Sequence, residues 1–213
     1  MNLHHLAARF LTASEQEGIQ NAVREAESTT AAEIVPLVVG ASHDYPKAET
    51  LGSMVYALIL GAILTELFGA RHMWIFLACF CLFFFGFHEL LKRFPALKRP
   101  FLSKERMEDE VSEGALTAFF RHGLFGTRDR TGILIYISVF ERKVWILADS
   151  GITEVVPQST LNGLTAELTA GIKGGRQAEA ITAAVRKCAA IVAPHFPRKA
   201  DDADELANLI IEK

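Results

Sequence analysis

The stretch TGILIYISVFERKVWILADSGI, Thr131 to Ile152, decides the fold class of this chain. Gly132 to Ser138 is a run of β-branched and aromatic residues, and Lys143 to Asp149 is a second. Val139 to Arg142 are long enough only for a tight connection, so the two runs predict a β-hairpin. Both are apolar at consecutive positions rather than at alternate ones. That pattern suits a sheet covered by helices on each face, not a half-solvated one.

Working outward, Thr160 to Ile172 and Gln177 to Val192 read as helices separated by Lys173, Gly174 and Gly175, with Pro194 and Pro197 ending the second. Upstream, Ser103 is placed to cap an amphipathic helix in which Met107, Val111, Ala115, Leu116, Phe119 and Phe120 share one face, and Gly123 ends it. Further upstream, Thr12 to Glu15 make a capping box, and Ile19, Ala22, Val23 and Ala26 recur at helical spacing to about Glu27. Glu33 to Val39 then read as a strand, in which Pro36 points to an edge or irregular position. Three strands are evident, so a further short strand or an intersubunit edge is expected. The tail from Arg198 to Glu205 is polar and expected to be irregular, with Leu206 to Ile211 either frayed or docked back on the domain.

Between the first strand and the Ser103 helix lie two apolar stretches, Leu51 to Ala70 and His72 to Leu91, separated by Arg71. At a rise of 1.5 Å per residue, ~20 residues match the hydrocarbon core of a bilayer. Leu51 to Thr65 and Met73 to Phe87 carry no charge, which leaves Glu66, His88 and Glu89 near the ends, where they can reach headgroups. Trp74 is placed as an interfacial anchor, and Phe83, Phe84, Phe85 and Phe87 are hard to place on a soluble helix. A buried helical hairpin is the alternative, but so short a chain has little protein to cover both helices. Lys92, Arg93, Lys98, Arg99, Lys104 and Arg106 follow the second stretch, so the positive-inside bias puts that side in the cytoplasm. Two spans return the amino terminus to the same side, and the start MNLHHLAARF has no export signal. An integral protein of the inner or plasma membrane, with both termini and the soluble domain cytoplasmic, is the expectation.

The order of elements predicts an α/β fold, a three-layer α/β/α sandwich with an inserted two-helix transmembrane hairpin. Residues 1–47 form the first part of the domain, 48–92 the hairpin, 93–197 the second part and 198–213 a polar tail. With the hairpin set aside, about 170 residues remain, enough for one modest core. The net charge of −3 argues against a nucleic-acid partner, whose binding needs a dominant basic field. Of the three cysteines, Cys79 and Cys81 fall in the second apolar stretch and Cys188 on the apolar face of a helix, which suggests neither disulfides nor metal spacing.

The Thr131 to Ile152 stretch, the helices after it and the closing HFPRKADDADELANLI resemble the TPM domain family, and specifically its bacterial membrane-protein branch. The resemblance runs over nearly the whole chain and rests on an ordered series of elements rather than on a catalytic signature. It implies a Rossmann-like α/β/α sandwich. Extracytoplasmic relatives are linked to photosystem maintenance, with acid phosphatase activity and calcium binding proposed, and an animal relative is an auxiliary membrane subunit. This chain is expected to depart from their plan of a signal peptide and a terminal anchor, so their compartment and role are not expected to carry over.

If the strands at Glu33 and Gly132 are parallel, Glu33, Asp129 and Asp149 share one edge of the sheet, and converging carboxylates there could take a hard divalent cation such as calcium. Salt bridges to Arg128, Arg130 and Arg142 explain the same acids. The opposite edge, where open α/β sheets bind ligands, holds Ser42, His43, Asp44 and Tyr45 with Phe140 to Lys143. Consecutive Ser, His and Asp side chains point apart and make no triad. Arg142, Lys143 and the basic linker could meet anionic headgroups. Lys173 to Arg176 lack the spacing of a phosphate loop, and His4, His5, His43, His122 and His195 are dispersed. With no activated nucleophile or cofactor fingerprint, the favoured expectation is a non-catalytic accessory or interaction module beside other membrane proteins in the lipid bilayer. The alternative, which the family resemblance alone implies, is a weak phosphatase, with or without a metal, acting on phosphate monoesters. A conduit formed by the hairpin is disfavoured, because Glu66 is its one polar feature.

Overall fold

The computed structural model describes residues 4–68, 73–198 and 206–212. Arg71, expected in the turn between the apolar stretches, and most of the polar tail lie outside the described residues. The elements in chain order are α1 (His4–Ala8), α2 (Ala13–Glu27), β1 (Glu33–Val39), α3 (Pro46–Leu67), α4 (Met73–Arg93), a 3₁₀ helix (Pro95–Phe101), α5 (Lys104–Arg121), a 3₁₀ turn (Leu124–Gly126), β2 (Gly132–Ser138), β3 (Lys143–Ala148), α6 (Ser150–Val155), α7 (Gln158–Lys173), α8 (Gln177–Val192) and β4 (Ile210–Glu212). The described chain divides into two compact units, one of residues 4–42 with 108–198 and 206–212, the other of residues 43–107.

The first unit is a mixed α/β structure around a four-stranded sheet of order β3-β2-β1-β4. β1 and β2 are parallel in the register Glu33 to Gly132 through Val39 to Ser138, although some ninety residues separate them in sequence. β3 returns antiparallel to β2, with Ser138 opposite Lys143. β1 and β2 are buried at every position because they are the two inner strands. β3 is not apolar-covered on both sides as its composition suggests: it is an edge strand, and only Val144 and Ile146 are fully buried.

The missing strand comes from the tail. Ile210, Ile211 and Glu212 run parallel to Leu37, Val38 and Val39. Arg121 donates to both Glu212 carboxylate oxygens at 2.6 and 2.7 Å, and His122 Nε2 lies 2.9 Å from Oε1, which ties this three-residue strand to the end of α5. β4 starts opposite Leu37, so Pro36 has a strand partner on one side only. That is the setting in which a strand tolerates a residue without an N–H.

Alternation along the inner strands divides the core. Ile34 and Val38, with Ile133, Ile135 and Ile137, join an apolar cluster with Ile19 and Val23 of α2, Leu161, Leu164 and Leu168 of α7, and Ile181, Val185 and Val192 of α8. Val35, Leu37, Leu134 and Tyr136 join a second cluster with Val111, Ala115, Ala118 and Phe119 of α5. Each large side chain withdrawn from water contributes roughly 1.5–3 kcal/mol, so these stripes hold the helices to the sheet. The buried stripe of α5 differs from the expected one. Leu116 and Phe120 are half exposed and Phe120 packs on Phe125 at 5.5 Å, because positions 111, 115, 118 and 119 already fill the face toward the sheet.

Local capping agrees with the sequence. Thr12 and Glu15 make the reciprocal capping box of α2, Ser103 Oγ accepts from the Arg106 N–H at 3.1 Å, and Gly123 takes the left-handed conformation after α5. Among the unanticipated elements is α6, a six-residue helix begun by Asp149.

The second unit contains two helices long and apolar enough to cross a membrane, α3 and α4. They pack antiparallel, with Tyr56 on Phe87 and Gly61 against Phe76. The basic segment after α4 is the 3₁₀ helix rather than a plain linker. Its Lys98 is buried and donates to Glu49 Oε2 at 2.7 Å, while His88 Nε2 lies 3.5 Å from Glu49 Oε1. Lys98 is therefore committed inside the protein instead of facing headgroups.

Candidate functional site

The edge of the sheet at the start of β1 and β2 and the end of β3 gathers the acids singled out in the sequence. Glu33 opens β1 opposite Gly132, and Asp149 follows β3 with its N–H donating to the Gly132 carbonyl at 2.9 Å. Both side chains are buried. Asp129 lies in the connection before β2 and is exposed. The hairpin thus brings Asp149 beside the strand that pairs with Glu33, as the topology requires.

Asp149 has a clear structural role. Its Oδ1 accepts from the Ser150 N–H at 2.6 Å and from Ser150 Oγ at 3.2 Å, which caps α6. Arg130 Nη1 lies 3.6 Å from the same oxygen, and the mostly exposed guanidinium makes that pair weak. Asp149 Oδ2 is buried and accepts no hydrogen bond among the described residues. Arg130 is left-handed at φ 58°, and its carbonyl accepts from the Gly151 N–H at 3.1 Å. Gly151 is required there, because a Cβ would stand 2.6 Å from the Asp129 carbonyl oxygen and 2.7 Å from that of Arg130.

A fourth acid belongs to this edge and was not identified from sequence. Glu27, the last residue of α2, is buried and accepts the Ile34 N–H at 3.2 Å. Glu27 continues the Ile19 and Val23 face of α2 at i+4 spacing, but a carboxylate there reads as the end of the apolar stripe rather than as part of it. Thr127 and Thr131 complete the surroundings, with Thr127 Oγ1 accepting the Thr131 N–H at 2.9 Å and Thr131 Oγ1 donating to the Ala31 carbonyl at 3.1 Å. Among the described residues, no group of three or more His, Cys, Asp or Glu side chains is arranged to hold a metal ion.

The opposite edge is organised around Glu141. Ser42 gives its N–H to Glu141 Oε1 at 3.1 Å, and its Oγ lies 3.1 Å from Tyr136 Oη. Ser138 Oγ donates to Glu141 Oε2, so buried Glu141 is a hydrogen-bond hub at the hairpin turn. Burial pushes the Tyr136 phenol above its usual range, partly offset by the bond to Ser42. In the other unit, His43 Nδ1 accepts the Tyr45 N–H at 2.8 Å. These contacts tie Ser42 to Tyr136 and Glu141, and His43 to the Tyr45 backbone. Lys143 is held by Glu108 at 2.5 Å.

Comparison with known proteins adds the following. Residues 103–191 match the family model described as the TPM domain, so the resemblance holds over α5 to α8. The NMR structure of the BA42 protein from the psychrophilic bacterium Bizionia argentinensis is similar in fold, with a TM-score of 0.59 and 21% identity over 96% of this chain and 97% of that one. The comparison with curated proteins gives no match.

Proposed function

From a chain whose residues 103–191 match the TPM domain, we propose a membrane-tethered accessory protein. Its Rossmann-like, three-layer α/β domain sits on the cytoplasmic side of the inner or plasma membrane, interrupted by a hairpin of α3 and α4 in the bilayer, as in the membrane branch of the family. The observation that carries this reading is what α3 and α4 leave uncovered. Leu58, Ile59 and Ile63 of α3, and Trp74, Leu82 and Phe85 of α4, are exposed, and only 6% of the most apolar stretch of α4 is buried by protein. An apolar surface of that extent calls for cover, and helices of this length and composition match a bilayer. The accessory role is supported by a second exposed group, Leu116, Phe120 and Phe125, on the TPM-matching part.

Alkaline extraction should leave the protein in the membrane pellet. Cysteines placed at exposed Ser14 and Glu154, in a background with Cys79, Cys81 and Cys188 changed to Ala, should react with an impermeant maleimide only after permeabilisation. Labelling from outside would overturn the topology. A photoreactive residue at Phe120 should form discrete adducts with membrane proteins that one at open Gly18 does not; the same pattern from both would overturn the accessory role.

One observation favours a second reading, a weak metal-dependent phosphatase: the unpartnered, buried Oδ2 of Asp149 beside Glu33. Glu33, Asp129 and Asp149, which the described structure does not gather into a three-ligand group, would then have to converge on calcium when a phosphate monoester binds. Full-length protein in nanodiscs would hydrolyse p-nitrophenyl phosphate with calcium, and the rate would fall in Asp129→Asn or Asp149→Asn. Activity persisting through both changes rejects that site.

A further inference from the structure

We propose that a cavity at the other end of the sheet binds a small amphiphilic anion, an anionic head on a short aliphatic tail. The cavity, about 300 Å³, lies where β2 turns into β3 against the last turn of α7. It is on the carboxyl side of the parallel pair β1 and β2, the side on which open α/β sheets accept ligands, and its size is at the small end of ligand pockets.

Its floor is apolar. Ile137 and Val139 from the end of β2, Phe10 from beyond α1 and Ile172 from α7 form the wall. Phe10, Val139 and Ile172 pack on the main core yet stay partly open, so they present a patch that a tail can cover.

Its rim is cationic. Arg142, Lys143 and Lys173 line the cavity and no Asp or Glu does, in a chain whose acids outnumber its bases 25 to 22. Lys143 is already neutralised by Glu108. Arg142 and Lys173 are exposed and make no hydrogen bond or ion pair among the described residues, so their charge is available to a ligand. Lys173 by itself has a plain explanation, since a cation in the last turn of a helix opposes the helix dipole. Arg142 has none. It occupies a left-handed position, φ 56°, that glycine or asparagine would fill with less strain. An anion held by these two cations over the apolar floor gives the guanidinium at this strained position a binding role.

The test uses the full chain in nanodiscs of zwitterionic lipid, with octanoate and octyl phosphate as probes for a carboxylate and a phosphate head, followed by isothermal titration. Saturable binding of either probe is expected, with octanol and acetate at least roughly tenfold weaker because each lacks one half of the recognition. Arg142→Gly, which keeps the left-handed turn, combined with Lys173→Gln should weaken the binding probe by roughly tenfold or more. Ile172→Trp should block it sterically, with circular dichroism confirming that each variant is folded. Equal uptake by wild type and the Arg142→Gly/Lys173→Gln variant would mean partition into lipid or binding elsewhere, and overturns the proposal. So does absence of saturable binding to wild type.

Discussion

Asp149 is where a structural and a metal-binding role can be separated by one atom. In Asp149→Ala the cap of α6 is lost, since the Ser150 N–H at 2.6 Å has no other side-chain acceptor shown for it. Losing an N-cap costs typically ~1 kcal/mol and up to about 2. The Arg130 pair adds no more than a few tenths, because the guanidinium is mostly exposed at 3.6 Å. Removing the buried, unpartnered Oδ2 works in the opposite direction. The expected net loss is about 1–2 kcal/mol, or roughly 2–8 °C in melting temperature for a unit of this size. Asp149→Asn retains the carbonyl acceptor at Oδ1, and Asn is an N-cap as good as Asp, so its melting temperature should stay within roughly 2–3 °C of wild type. The assay is thermal unfolding of the full chain in nanodiscs by circular dichroism, with calcium and with chelator. If Asn destabilises as much as Ala without calcium, the capping argument is wrong. If calcium raises the melting temperature of wild type and of neither variant, Asp149 is a ligand as well as a cap.

Three further outcomes follow from packing and burial. Gly171→Ala should destabilise by about 1–3 kcal/mol in the same melt, because the added Cβ would stand 2.5 Å from Ala180 Cβ and force α7 and α8 apart; an unchanged melting temperature would contradict that packing. Glu212→Ala should release β4, seen as faster amide exchange at Ile210 and Ile211 while Ile133 to Ile137 stay protected; equal protection would show that β4 is held by its strand pairing alone. Cys188 should resist a thiol reagent at neutral pH until the protein unfolds, since burial pushes its thiol up to about 12. An unfolded thiol loses its proton near pH 9, so the unfolded state binds fewer protons above that pH and stability should fall between about pH 9 and 12. A melting temperature flat across that range in wild type, or equally pH-dependent in Cys188→Ala, would refute the assignment.

Most of the elements were legible because their causes are local. Capping residues, helical spacing and apolar runs act within a few neighbours, so α2, α5, α7, α8 and the β2–β3 hairpin appear where the sequence places them. Two apolar stretches of bilayer length are likewise a property of composition. The acidic edge was partly legible: the parallel pairing of β1 and β2 follows from the crossover, and it carries Glu33 and Asp149 to one end. Glu27 was not, because a carboxylate closing the Ile19 and Val23 face reads as solvated, and the Ile34 N–H that it accepts lies across the turn into β1.

The remaining features were decided by contacts between segments far apart in the chain. β4 is three residues long and carries no strand pattern of its own; it exists because Leu37 to Val39 offer an open ladder and Arg121 and His122 hold Glu212. β3 is an edge strand because nothing pairs beyond it among the described residues, which no apolar count can reveal. Lys98 reads as a solvated cation in a basic run, yet Glu49, some fifty residues earlier, draws it into the interior. Leu116 and Phe120 read as core and stand exposed, since the sheet face beneath α5 is already filled. Local propensity names the pieces, whereas pairing, burial and charge neutralisation are settled between pieces, where sequence distance carries no information about spatial distance.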